Sequence, residues 1–435
     1  MQISRLLPSL PRHSLPGPED ITRLHLSNGI VILIRQNTSS SSVVVSGGLL
    51  AGGLLDPDEK LGLADFTASA LMRGTLQHSF AEIYDTLESA GASLGIAGGT
   101  HLVSFNGKAL SEDLDKLLGL LAEALRYPIF PEEQINRLRA QLLTSLAIRS
   151  QDTAEVASLT FDQIVYQNHP YRRPEEGYPE TVQTIERDDL VEFHRKYYGP
   201  QEMMIAIVGD VDPPQAVEKV RQVFEDWQNP QRPAVPALPP LQRLERVTTQ
   251  SVVMPGKFQS DLLIGVAGPP RSSTDFLAAS LGNNILGQFG MMGRIGRVVR
   301  EEAGLAYYAG SSLSGGLGPG PWEISAGVSP AQADQATELI LQEIRHFTSE
   351  PVSEEELADS AANYIGRLPI SLESNAGVAS ALVNLERHQL GLDYYLRYPD
   401  LIRSITREQI LNAAQQYLNP ECLAIAIAGP SPDTS

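Results

Sequence analysis

Asp65 and Ser69 stand four residues apart in the run Leu63-Ala64-Asp65-Phe66-Thr67-Ala68-Ser69, so a helix there sets both side chains on one face. Two imidazoles at that spacing can grip a single zinc ion, with a neighbouring carboxylate to activate water. A carboxylate and a hydroxyl are poor zinc ligands beside imidazole or thiolate, and Ala68 between them cannot activate a water. The histidines (His13, His25, His78, His101, His169, His194, His346 and His388) nowhere approach one another at ligand spacing, and Cys422 is alone. A second pair of interest is Arg300 and Tyr307, a guanidinium fork and a phenol donor that suit carbonyl recognition and need no metal in their own chain. Their residue types leave two roles open. An Arg in the last turn of a helix can equally complement the helix dipole, and a Tyr opening a strand can be half-buried packing.

The elements that must position these residues come as a duplication. Ile185-Glu186-Arg187-Asp188-Asp189-Leu190 opens a helix ending at Tyr197, followed by Pro200, an apolar strand from Met203 to Val208, and Gly209. Ile405-Thr406-Arg407-Glu408-Gln409-Ile410 opens a helix ending at Tyr417, followed by Pro420, a strand from Cys422 to Ala428, and Gly429. The helix start, the Tyr, the Pro and the Gly are each displaced by 220 positions. The acidic helix starts at Pro131 and Ser353 repeat at a displacement of 222. Prolines at 230, 233, 236, 239 and 240 mark a semi-rigid linker between the halves.

These features predict an N-terminal extension over 1–20, a first domain over 21–229, a Pro-rich linker over 230–246 and a second domain over 247–435. In the first half, Thr22 to Leu26 and Ile30 to Ile34 flank a Ser27-Asn28-Gly29 turn, as in a hairpin. Helical patterns cover roughly 80–90, 111–126, 131–149 and 154–167, with a strand candidate at about 93–107. Strands with helices grouped around them predict an α+β half with helices packed on one sheet face. In the second half, a helix through Ile295, Val298 and Val299 should stop at Gly304, with Tyr307 and Tyr308 then pointing to opposite faces of a strand.

The frame Gly62-Leu63-Ala64 before Asp65, and Arg73-Gly74-Thr75 after Ser69, resembles the metal-binding helix of the inverzincin peptidases, the family of pitrilysin and the mitochondrial processing peptidase. That family's His-x-x-Glu-His falls on Asp65, Ala68 and Ser69. Its third ligand, a Glu on a later helix, falls on Ser145 when counted back from the family-like His169-Pro170-Tyr171. Arg300 and Tyr307 stand at the spacing of the family's Arg and Tyr, which reach across a chamber to the metal. The resemblance covers about residues 20 to 430. It implies two homologous inverzincin-type domains, each an antiparallel-rich sheet with helices packed on it, arranged as half of a clam shell.

It further implies a non-catalytic subunit of a heterodimeric zinc metalloendopeptidase. Zinc is then expected in a paralogous partner with an intact His-x-x-Glu-His, and no cofactor in this chain. Arg300 would orient a peptide and Tyr307 would donate to the oxyanion in trans. The small-residue strand Leu94-Gly95-Ile96-Ala97 lies where the family binds substrate as an added strand, although small residues there would also allow close helix packing. Glycines 287, 290, 293 and 296 loosely resemble the glycine-rich loop of the non-catalytic processing subunit, and are read either as a gate or as a helix-entry loop. Alternatives are a structural protein of the respiratory core-subunit type and a homodimeric peptide binder.

Composition sets outer bounds. The net charge of −19 argues against nucleic acid or an anionic membrane as partner. One cysteine excludes an intramolecular disulfide framework. The first twenty residues, with four prolines and no continuous apolar core, read neither as a signal peptide nor as an anchor, and no later run reaches the length of a membrane span. The expectation is a cytoplasmic protein.

Overall fold

Two sheets organise the chain, one built from each repeat. The computed structural model describes residues 15–289 and 293–431. The first sheet contains β1 (Thr22–His25), β2 (Val31–Gln36), β3 (Ser42–Leu49), β4 (Ser93–Ala97), β5 (Val103–Leu110) and β6 (Met204–Gly209), in the order β1-β2-β6-β3-β5-β4. The second contains β7 (Thr248–Val253), β8 (Ser260–Ala267), β9 (Ala306–Gly315), β10 (Pro319–Val328) and β11 (Ala424–Gly429), in the order β7-β11-β8-β10-β9. Apart from the extra β1, the two orders correspond strand for strand. Each has one parallel pair, β2 with β6 and β7 with β11, and antiparallel neighbours elsewhere.

Helices accompany each sheet. The first half carries α1 (Leu63–Ala70), α2 (Phe80–Ser89), α3 (Leu114–Arg126), α4 (Glu132–Arg149), α5 (Thr153–Val165), α6 (Pro179–Thr184), α7 (Arg187–Tyr197) and α8 (Pro213–Phe224). The second carries α9 (Phe276–Asn283), α10 (Ala333–Ser349), α11 (Glu354–Ser371), α12 (Asn375–Arg387), α13 (Tyr394–Arg403) and α14 (Arg407–Tyr417). Their starts follow the cap chemistry of the sequence. Asp152 accepts from the amides of Ala154 and Glu155, and Ser353 with Glu356 and Thr406 with Gln409 form capping boxes.

The expected helix layer on one sheet face is only half of the arrangement. α5 of the first half lies on the second sheet, where Ala157, Phe161, Ile164 and Val165 pack with Leu263, Ala424, Ala426 and Ala428. α12 of the second half lies on the first sheet, where Val378, Ala379 and Leu382 meet Val31, Leu33, Val44 and Val208. The halves therefore exchange helices, and each sheet is covered on both faces. Burying a side chain such as Phe161 or Leu382 contributes about 1.5–3 kcal/mol, so neither sheet completes its core with its own repeat.

Other expectations shift locally. The strand candidate at 93–107 is two antiparallel strands, β4 and β5, because residues 98–102 turn between them. The helix through Ile295 is wound as a π-helical turn, Gly296–Glu302, and it ends before Gly304, whose φ of 66° only glycine adopts readily. The Pro-rich segment 230–246 contains no helix or strand but is fastened at both ends. Arg232 donates to the carbonyls of Tyr197, Gln201 and Leu50, and Arg243 donates to Gln416 O and stacks over Tyr417. Residues 1–14 of the expected N-terminal extension lie outside the described residues, and Leu15 is buried among the helices of the second half.

Candidate functional site

Asp65, Ala68 and Ser69 lie on α1, and glycines flank it on both sides. Gly62 precedes it with φ 93°, and a Cβ there would meet Glu176 O at 2.6 Å. Gly74 follows with φ 147°. The Asp56 carboxylate accepts from the amides of Gly62 and Ala64, both at 2.8 Å, and so occupies the helix N-terminus. Asp65 and Ser69 share the half-exposed face of α1, while Ala68 is fully buried in the first core. Asp65 abuts Gly98 at the exit of β4, where a Cβ would lie 2.6 Å from Asp65 Cα.

The electrostatics of this corner disfavour negative charge. Burial, then the carboxylates of Glu176 and Glu175, push Asp65 up to about 6 against the Gly98 amide, which favours its charged form. Burial pushes Asp56 up to about 7, and the Gly62 and Ala64 amides only partly offset it. The Tyr198 hydroxyl, buried nearby, has no hydrogen-bond partner among the described residues. Ser145 is exposed on α4. Zinc does not fit this set: it offers one carboxylate, hydroxyls, and alanine at the position of the base. Among the described residues no three His, Cys, Asp or Glu side chains are grouped to hold a metal ion.

β4 is one edge of the first sheet, paired only with β5. Leu94 and Ile96 turn toward the first core, and Gly95 and Ala97 face out. Nothing lies within 4 Å of a Cβ built on Gly95, so close helix packing does not account for glycine there. It does account for Gly98, which Asp65 confines.

Arg300 and Tyr307 lie at the entry to β9, one edge of the second sheet. Arg300 is exposed on the π-turn, and no hydrogen bond or ion pair holds its side chain among the described residues. The amide of Leu305 donates to Val299 O at 3.0 Å and ties this turn to the start of β9. Tyr307 is 82% exposed. It falls where the β9–β10 register shifts, between the pairs Tyr308↔Gly327 and Ala306↔Val328, so it is the unpaired residue of a bulge. Tyr308 points inward and donates to the buried Asp261, which also accepts from Thr153 and Gln259. Only Tyr307 of the two is available to a partner.

Two further residues escape a reading by spacing. Arg294, ahead of the π-turn, is buried, with Glu356 at 2.7 and 2.8 Å and Glu343 at 3.4 Å, and it fastens the turn to α10 and α11. Its charge in an apolar helical pattern was the available signal. Arg387, in the last turn of α12, is the other. Of the four glycines, Gly290 lies outside the described residues. Gly287 packs against the Ser311 amide and Gly293 against Gly287, each too close for a Cβ.

The comparisons agree with this architecture. The family model described as Insulinase (Peptidase family M16) matches residues 30–177, and that described as Peptidase M16 inactive domain matches residues 184–364. An uncharacterized zinc protease of Streptomyces coelicolor is 24% identical over 358 residues, covering 80% of this chain and 78% of that protein. The uncharacterized zinc protease YmxG of Bacillus subtilis is 22% identical over 415 residues, covering 94% and 98%. A crystal structure of a peptidase M16 inactive domain from Pseudomonas fluorescens superposes with a TM-score of 0.87 at 24% identity, covering 94% of this chain and 98% of that one. A protease from Helicobacter pylori gives a TM-score of 0.87 at 19% identity, covering 96% and 100%. The chain belongs to the M16 peptidase family, as a peptidase-like, non-catalytic member.

Proposed function

We propose that this chain is the non-catalytic subunit of a heterodimeric zinc metalloendopeptidase acting on peptides or unfolded segments. A paralogue with an intact His-x-x-Glu-His carries the metal chemistry, and this chain closes the chamber. Arg300 orients the peptide backbone and Tyr307 donates a hydrogen bond to the oxyanion of the tetrahedral intermediate. The observation that carries the reading is the pairing of an exposed Arg300, unpartnered among the described residues, with a bulged Tyr307 that is 82% exposed, while the neighbouring Tyr308 is tied to Asp261. In the same chain the metal helix cannot serve. The β4 edge at Leu94–Ala97 offers backbone groups to an extended peptide, which suits a substrate chosen by conformation.

The test is reconstitution with an inverzincin paralogue from the same cell. This chain alone should bind no stoichiometric zinc and cleave nothing, and mixing should yield a one-to-one complex that cleaves peptides. Arg300→Ala should lower turnover while the complex still assembles. A complex without cleavage would point instead to a structural protein, and peptide retention with no partner to a homodimeric binder.

A further inference from the structure

Between the first sheet and α12 lies an open cleft of about 700 Å³. Its sheet side is polar: Ser46, Ser104 and Asn106 face it, and the Asn106 amide donates to Ser46 Oγ. The backbone of β4 at Gly95–Ala97 forms one wall, and α12 forms the other through Ser380, Asn384 and Arg387. A second cavity of about 370 Å³ adjoins it through Ser371, Asn384 and Tyr395, and is lined by Arg271 and Arg367. Neither lining contains an Asp or Glu, although acidic residues outnumber basic ones 52 to 33 in the chain.

Arg387 is the unusual member. Its Nε is buried without a partner, and no ion pair or hydrogen bond to its guanidinium occurs among the described residues. Arg294 and Arg126, by contrast, pair with carboxylates: Arg294 with Glu356 and Glu343, Arg126 with Asp226. A half-buried guanidinium with no counter-charge among the described residues is suited to receive an anion arriving from outside. Its surroundings supply none. Tyr171, bonded through its hydroxyl to His101, lies near it, and His101 and His388 are each held at about 4 by burial and by the field of Arg387. The cleft is thus electropositive through its arginines, with both histidines neutral around pH 7.

We propose that this cleft is a carboxylate-recognition subsite in which Arg387 receives a carboxylate of a peptide lying along the edge strand β4. The proposal rests on the reading of the chain as peptide-binding, and it needs no cleavage. Edge pairing supplies affinity independent of side chains, and the guanidinium fork adds selection for a planar anion. The carboxylate is either a Glu or Asp side chain or the peptide C-terminus.

Fluorescence anisotropy of the full chain with three short labelled peptides tests it: one with a Glu and an amidated C-terminus, one with a free C-terminus and no acidic residue, and one with neither. One of the first two should bind at least about tenfold tighter than the third, and which one does so identifies the source. In Arg387→Met the preference should vanish, while Arg387→Lys, which keeps charge but loses the fork, should retain part of it. The melting temperature of Arg387→Met should be unchanged or raised, because an uncompensated half-buried charge has been removed. Equal binding of all three peptides, no binding of any, or a preference that survives in Arg387→Met would overturn the subsite. So would a lowered melting temperature, which would mark Arg387 as a structural cation. Partner-dependent cleavage is scored separately, so failure here leaves the subunit reading standing, and the reverse also holds.

Discussion

Replacing Asp65 by Asn should stabilise this protein at neutral and alkaline pH, which is the opposite of what a metal ligand would do. Asp65 titrates at about 6 in the folded chain against an ordinary 3.8, chiefly because burial on α1 disfavours its charge. The folded state therefore binds this proton more tightly than the unfolded state. Stability associated with Asp65 is fully present below about pH 4, declines as pH rises toward about 6, and is lost above that. The difference is worth about 3 kcal/mol at pH 8. Asn keeps an acceptor for the Gly98 amide and carries no charge toward Asp56, so the substitution should recover about 1–3 kcal/mol there. The advantage of the variant should shrink by about 2 kcal/mol between pH 8 and pH 4. Urea denaturation of both proteins across that range, with and without a chelator, measures it. A variant less stable than the wild type at pH 8, with a loss that the chelator abolishes, would refute the reasoning and place a cation on Asp65.

Phe161→Ala, on α5, should cost about 3–5 kcal/mol, and because α5 of the first half covers the second sheet, urea should still unfold both halves in one transition. Arg294→Ala leaves Glu343 and Glu356 without their cation and should destabilise by about 3–5 kcal/mol, read from the same denaturation curves. Tyr308→Phe removes the donor to Asp261 and should cost about 1–2 kcal/mol. In a reconstituted complex it should lower turnover less than Tyr307→Phe, because Tyr308 faces inward.

Much of this architecture was legible because it rests on local chemistry. The 220-residue displacement marks helices α7 and α14 and strands β6 and β11, and the frame around α1 survives because Gly62 and Gly74 hold backbone conformations that glycine adopts most readily. Tyr307 and Tyr308 divide between solvent and Asp261, although a bulge at Tyr307 interrupts the strand period. What escaped depends on tertiary placement. Periodicity identifies the apolar face of α5 but not which sheet it covers, so the helix exchange with α12 carries no local signal. The π-turn before β9 carries no signal in local propensity. Arg387 reads as an ordinary basic residue in the last turn of a helix, and only the assembled cleft shows that its guanidinium lacks a counter-charge.

The central claim is that Tyr307 acts in trans at a partner's site. Its most direct measurement is steady-state peptide cleavage by the one-to-one complex with wild-type chain or with Tyr307→Phe. The account predicts that kcat falls by about 10²–10³, with KM and complex assembly little changed, as for loss of one oxyanion donor. Undiminished kcat in an intact Tyr307→Phe complex would contradict it.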